Sequence, residues 1–332
     1  MSADRRYPLL LAGLGLLAAL LFLASLGIGQ VWIDPLTLAA AFNDTDSAEA
    51  LILAEIRLPR ALLGAGIGAI LGLSGAVLQG FLRNPLAEPG LLGISASASL
   101  GAVIAIYAGL TALHPYALPL CALAGALIAV MLVQMLVGRS GDILVIILAG
   151  VALSSLAGAL TSLALNLSPS PFAALEIVFW MLGSLTDRSL VHVGLALPFI
   201  AVGGIMLALT GRALDALALG PDVARSLGID LDRTRVLAVV GTAIGVGGAT
   251  AVSGAIGFVG LIVPHLLRPL VGHRPSRLLP ASALGGAAFL LAADIAVRVV
   301  MPDRDLKLGV VTALLGAPFF LWLLISLRGR SA

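Results

Sequence analysis

Apolar residues come in runs of about 20, the length of helix that crosses a roughly 30 Å hydrocarbon core. Short segments carrying nearly all the charge separate these runs. The runs at residues 9–28, 61–81, 91–110, 117–137, 143–165, 193–210, 282–300 and 308–327 each predict one membrane-spanning helix. The stretch 236–272 contains no acid and no base before His265. As a single helix it would be roughly 55 Å long, too long for one crossing. Arg233 and Arg235 precede it, and Arg268, Arg274 and Arg277 lie in or after its end. Cationic flanks belong on the cytoplasmic side, so the stretch must go out and return, turning near residues 253–257. The pattern predicts an all-α integral membrane protein of about ten transmembrane helices with both termini cytoplasmic. One transmembrane domain then fills residues 1–332, and its longest cytoplasmic piece is the segment 212–235.

Charge supports this orientation. Of 19 lysines and arginines, six fall outside (Arg57, Arg60, Arg188, Arg298, Arg304 and Lys307) and the others inside. The first outer loop is acidic, with Asp34, Asp44, Asp46, Glu49 and Glu55. The run at 9–28 follows Arg5 and Arg6 and exceeds the roughly 7–15 residues of a signal-peptide core, so it reads as a signal anchor. Composition excludes a soluble protein: 60% of the 332 residues are hydrophobic and only 11% charged, where a soluble domain has about 25% charged. The net charge of +2 comes from arginines dispersed among loops, a pattern unlike a nucleic-acid surface.

Several chemistries are excluded as well. Lys307 is the only lysine and no glycine-rich loop precedes it, so the chain has no phosphate-cradling motif and does not hydrolyse ATP itself. His114, His192, His265 and His273 form no metal-ligand spacing, and Cys121 is alone, so no metal, cofactor or catalytic residue is expected. An ion-coupled secondary transporter is the alternative reading. Such proteins keep acids or bases deep in the bundle, and Asp294 is nearly the only candidate, four residues before a neutralising Arg298. Gly64, Gly68 and Gly72 in the second run, and Gly150, Ser154 and Gly158 in the fifth, recur every four residues and predict close helix packing.

Four segments carry functional information. Arg57 and Arg60 stand at the outer entrance of the second span, against the positive-inside bias. They read either as snorkelling anchors or, joined by Arg298, as a docking site for an acidic patch. Between spans two and three, Pro85 and Pro89 force Asn84 and Glu88 out of the α region, making a stiff inner turn. In the segment 212–235 a short helix over 214–219 ends at Gly220. A second helix begins at Pro221, has Asp222 in its first turn and Arg225 towards its end, and is capped by Gly228. Val223, Ala224 and Leu227 are expected to share one face, a knob suited to a cleft in a cytoplasmic partner. The fourth segment runs from Gly254 to Arg268 and includes Phe258-Val259-Gly260-Leu261-Ile262-Val263-Pro264-His265. His265 taken alone reads as a hydrogen-bonded structural histidine.

Together with Asp294 and the Gly316-Ala317-Pro318-Phe319-Phe320 end of the last span, these segments resemble the FecCD/BtuC-type permeases. Those are membrane subunits of bacterial ABC importers for ferric siderophores, haem and vitamin B12. The resemblance implies a homodimer of ten-helix subunits in the bacterial inner membrane, two cytoplasmic ATPase subunits and a periplasmic binding protein. It assigns receptor docking to Arg57, Arg60 and Arg298, and the cytoplasmic gate to Asn84 and Leu86. ATPase coupling falls on the stretch containing Leu219, Gly220, Pro221, Val223, Ala224, Arg225, Leu227 and Gly228. The sequence departs from the family at Lys307-Leu308-Gly309, where Leu-Pro-[Val/Ile]-Gly is more usual, so the entry to the last helix is open. The substrate is left between iron chelates and cobalamin.

Overall fold

The computed structural model describes residues 3–29, 32–34, 47–138, 143–168, 170–301 and 306–328. Asp44, Asp46, Arg139, Arg304 and Arg330 from the charge argument lie outside the described residues. Helices make up the fold in the order α1 (Ala3–Gly27), α2 (Ala48–Phe81), α3 (Ile94–Tyr107), α4 (Leu110–Leu113), α5 (Ala117–Val137), α6 (Ile143–Asn166) and α7 (Pro171–Met181). Then follow α8 (Leu190–Ala208), α9 (Gly211–Leu217), α10 (Pro221–Ser226), α11 (Leu231–Ser253), α12 (Val259–Leu267), α13 (Pro275–Val300) and α14 (Leu308–Arg328). Seven of these are long and apolar enough to cross a bilayer: α1, α2, α5, α6, α8, α11 and α13.

α2 and α11 form the interior, and α1 lies at the periphery with most of its length exposed. The glycines of α2 set its closest contact. A methyl group on Gly68 would strike the Gly286 carbonyl oxygen, and one on Gly72 the Ser282 carbonyl oxygen. The backbones of α2 and α13 therefore meet with no side chain between them, as expected from the four-residue spacing. In α6 the expectation divides. Gly150 packs on the backbone of Leu91 and Leu92, whereas Gly158 faces open space.

The stretch 236–272 does break where expected, but not into two full helices. α11 ends at Ser253, and Gly254, at φ +70°, turns the chain. α12 then supplies only 9 residues, about 14 Å of helix. The five residues between can reach at most about 17 Å, so the two together approach a bilayer's hydrocarbon thickness. Irregular backbone at such depth needs partners. Here the Ser184 amide donates to the Ser253 carbonyl at 2.7 Å, and the Gly309 amide to the Gly183 carbonyl at 3.2 Å.

Three further boundaries differ. α2 starts at Ala48 rather than near residue 61, continuing through a π-helical turn, Ile52–Arg57. The third span opens with a 3₁₀ turn, Pro89–Leu92, before α3 begins. α7 has no counterpart in the expected spans, because 11 residues are too short to cross; its signal was the Ser170-Pro171 start, where Ser170 Oγ accepts the Ala173 amide. The unusual Lys307-Leu308-Gly309 still starts a regular helix: Gly309 packs on the Leu182 carbonyl, and Lys307 Nζ lies 5.4 Å from the Phe179 ring centroid.

Candidate functional site

The first of the four informative segments lies at one end of the bundle, and the other three gather at the opposite end, where the second packs on the fourth. At the outer end, Asp294 of α13 is 1% exposed and clamped by two arginines. Arg60 Nε donates to Asp294 Oδ1 at 2.9 Å, and its Nη2 lies 2.8 Å from the same oxygen. Arg298 Nη2 lies 2.9 Å from Asp294 Oδ2. Arg298 also reaches α1, donating to the carbonyls of Ser25 at 2.9 Å and Ile28 at 2.6 Å and to Ser25 Oγ at 2.6 Å. Arg57, 4% exposed, donates to the carbonyls of Leu26 and Gly27, each at 2.7 Å.

The last carbonyls of a helix have no intrahelical partners and carry partial negative charge, so Arg57 and Arg298 close the end of α1. The structure thus brings Arg57, Arg60 and Arg298 together, as expected. It turns them inward, however, rather than snorkelling them to the surface. The π turn explains the direction of Arg57, since one extra residue in the helical turn rotates its side chain towards α1.

At the inner end the proline turn meets the fourth segment. Asn84 Oδ1 accepts the Leu86 amide at 2.9 Å, and Arg83, at φ +50°, ends α2 in a left-handed conformation. Gln79 bridges to α12: its Nε2 donates to the Gly260 carbonyl at 3.2 Å, and its Oε1 accepts from Arg268 Nη2 at 2.5 Å. The Glu88 carboxylate lies close enough to the backbone N–H of Phe258, at the start of α12, to be stabilised by it. Neither link was visible in the sequence, since Gln79 and Glu88 are each about 180 residues from their partners. The loop holding Asn84 and Leu86 is therefore tied at both ends to the half-length helix α12. His265 sits at the far end of α12, edge-on to Phe319 at 5.6 Å between ring centroids.

The third segment has the predicted form. Pro221 starts α10, and the Gly228 amide donates to the Arg225 carbonyl at 2.9 Å and the Ile229 amide to the Ala224 carbonyl at 3.0 Å, closing its end. The helix before it is Gly211–Leu217, shifted slightly from 214–219. The expected apolar face is split. Ala224 is fully buried in the core, whereas Leu219, Val223 and Leu227 are 66, 42 and 61% exposed. Val223 and Leu227 are four apart and share one face; Ala224, one residue on from Val223, turns away from it.

α9 is fastened to α13. Asp215 Oδ1 accepts the Ser276 amide at 2.8 Å, while its Oδ2 accepts the Ser276 hydroxyl at 2.7 Å and Arg274 Nε at 3.0 Å. Burial alone would raise the Asp215 carboxyl, but Ser276 and Arg274 together hold it below its ordinary value.

This set of segments recurs in known proteins. The model of the FecCD transport family matches residues 16–326. The chain belongs to that family. It is 41% identical over 329 residues to the vitamin B12 import system permease protein BtuC of Klebsiella pneumoniae, covering 98% of this chain and 96% of that protein. It is also 41% identical over 279 residues, 82% of this chain and 78% of the relative, to the ABC transporter permease protein YvrB of Bacillus subtilis. A solved metal-chelate type ABC transporter in an inward-facing conformation superposes with a TM-score of 0.85 at 32% identity, covering 96% of this chain and 99% of that one. As a FecCD-family member the chain is a multi-pass membrane permease subunit, not an enzyme, and ATP hydrolysis belongs to a separate subunit.

Proposed function

We propose that this FecCD-family permease imports a metal chelate or cobalamin across the bacterial inner membrane. In this reading two copies form the path, two cytoplasmic ATPase subunits drive it, and a periplasmic receptor delivers the cargo. The single domain 1–332 crosses the bilayer ten times with both termini cytoplasmic: the seven long helices, α3, α14, and the crossing shared by 254–258 and α12. Supporting a dimer, Gly158 opens onto free space and the apolar side chains of α6 around it, such as Leu156 and Leu160, are exposed on the subunit surface.

The observation that carries the mechanism is α13. Its 26 residues, about 39 Å of helix, begin at the cap supplied by Asp215 and end at the Asp294–Arg298 cluster. An ATPase dimer that pushes on α9 and α10 acts on a strut leading to the receptor face. The exposed knob of Leu219, Val223 and Leu227 meets the ATPase. Through Gln79 and Glu88, the Asn84–Leu86 gate moves with α12. At the outer face Arg60 and Arg298 offer their accessible edges to acidic groups of the receptor, while Arg57 serves mainly to hold α1.

The ion-coupled alternative is disfavoured because both oxygens of Asp294 are taken up by Arg60 and Arg298, which leaves this carboxylate poorly placed to carry a proton through a cycle. Uptake of labelled cobalamin, haem and ferric siderophores by cells expressing the complete system tests the proposal. ATP-dependent uptake of one of them is expected, whereas gradient-driven uptake by the chain alone would overturn it.

A further inference from the structure

A second polar cluster lies at the outer ends of α5, α7, α8 and α11, apart from the arginines around Asp294. It lines a cavity of about 170 Å³ that contains Thr111, Glu176, Arg188 and His192. Arg188 Nε is buried there with no hydrogen-bond partner. An unsatisfied charged donor is costly, and its place in the wall of a cavity points to a missing acceptor. His192 supplies a second donor. Its Nδ1 accepts the Ser189 amide at 3.2 Å, which leaves the proton of the neutral ring on Nε2. Glu176, the acid in the lining, lies on an exposed stretch of α7 and is not ion-paired to Arg188.

The cavity does not end there. Pro119, Ala251 and Val252 also line a shallow surface groove, enclosing only about 10 Å³, that runs on past Leu120, Leu123, Leu195, Phe199 and Gly248. From His192 to Phe199 is seven residues down α8, about 10 Å towards the bilayer centre. Its lining is almost wholly apolar, and Leu120 at its edge is exposed. A site with a donor-rich head at the helix ends and an apolar surface groove running from it, against which a chain can lie from the bilayer side, has the form of a lipid. Asp187, next to Arg188 in the chain, acts on its charge but is not part of the lining; the acid in the lining, Glu176, adds a preference, since an arginine holds a phosphate diester and a carboxylate holds an ammonium.

We propose that this cavity and groove bind one aminophospholipid, with its phosphate on Arg188 and His192, its amine on Glu176 and an acyl chain along Leu195 and Phe199. The headgroup fills the cavity at the helix ends, and the acyl chain lies on the outside of the bundle over the junction of α5, α8 and α11.

Native mass spectrometry tests this on the protein purified in the complex in which it is expressed, after exchange into phosphatidylethanolamine or phosphatidylglycerol. The parent should retain a phosphatidylethanolamine adduct several-fold above the phosphatidylglycerol one, and millimolar inorganic phosphate should not displace it. Arg188→Gln should reduce the retained adduct about tenfold, the loss of one charge-assisted hydrogen bond. Glu176→Gln, on an exposed side chain and expected to fold normally, should keep the lipid but lose the preference for the amine. Leu195→Trp should fill the groove and reduce both adducts. Absence of an adduct in the parent, equal retention of the two lipids, an Arg188→Gln adduct as abundant as the parent's, or displacement by phosphate would overturn the proposal.

Discussion

Asp215 accepts the Ser276 amide at 2.8 Å, so a residue of α9 caps the helix whose other end carries Asp294 and Arg298. Arg274, at the N-cap position of α13, makes no capping bond with its own side chain. Removing the borrowed cap in Asp215→Ala should cost about 1 kcal/mol of stability. It should also reduce uptake much more than ATP hydrolysis, because α9 would then move without α13. Parallel measurement of melting temperature, hydrolysis and uptake in reconstituted transporter checks both effects. Equal loss of hydrolysis and uptake would count against a strut.

The same cap should be sensitive to acid. The Asp215 carboxyl is held below its ordinary value in the folded protein. Its contribution is therefore present above the unfolded value of about 3.9 and is lost as pH falls through the lower folded value. Hydrogen exchange at residues 211–217 should stay slow at neutral pH and accelerate below about pH 4 in the parent, whereas Asp215→Asn should show little of that pH dependence.

Asp294 neutralises two guanidinium groups in a nearly dry site, so its loss should be severe. Asp294→Ala leaves Arg60 and Arg298 uncompensated and should cost about 3–5 kcal/mol, read as a large drop in melting temperature in detergent. Arg60→Gln, which leaves Arg298 to neutralise Asp294, should instead weaken receptor binding at low salt while the ATPase still assembles. Unchanged receptor affinity would restrict the cluster to holding α1 and α13 together.

Val223→Glu and Leu227→Glu should abolish association with the ATPase and leave the fold intact, since both side chains face water. Ala224→Trp should behave differently. With no space around the buried Ala224, overpacking costs about 1–3 kcal/mol and should unfold the α9–α10 knob itself. Pull-down of the ATPase, with circular dichroism of each variant, separates the two outcomes.

The glycines give a matched pair. Gly68→Ala drives a methyl group into the Gly286 carbonyl and should lower the yield of monodisperse protein sharply, by about 1–3 kcal/mol of packing strain. Gly158→Ala meets nothing within 4 Å in the subunit and should leave the subunit stable. If α6 lies at the dimer contact or lines the path, the change will appear in assembly or uptake instead.

Membrane sidedness can be read from two exposed positions in a Cys121→Ser background. Leu113→Cys, at the end of α4, should react with an impermeant thiol reagent from outside. Leu219→Cys should react only from the cytoplasm. The reverse pattern would invert the topology.

The membrane class, the spans and the form of the Pro221–Ser226 helix were legible in the sequence because they depend on local quantities. Twenty apolar residues must be helical in a bilayer, a proline after glycine must start rather than continue a helix, and glycines every four residues must lie on one face. The arginines at 57, 60 and 298 could likewise be grouped from their motifs and shared end of the bundle. What the local pattern could not determine was direction and partnership. That Arg57 turns to the end of α1, that Ala224 faces the core while Val223 faces water, and that Gln79 and Glu88 hold α12 depend on which helices become neighbours. α12 itself shows the same division. Its sequence is apolar enough to look like half of a helical hairpin, but it can be short, with irregular chain before it, only because Gly183, Ser184 and Gly309 of other segments stand close enough to satisfy or pack the exposed backbone. A broken helix in lipid is stable only among such neighbours, and those neighbours are supplied by the tertiary structure.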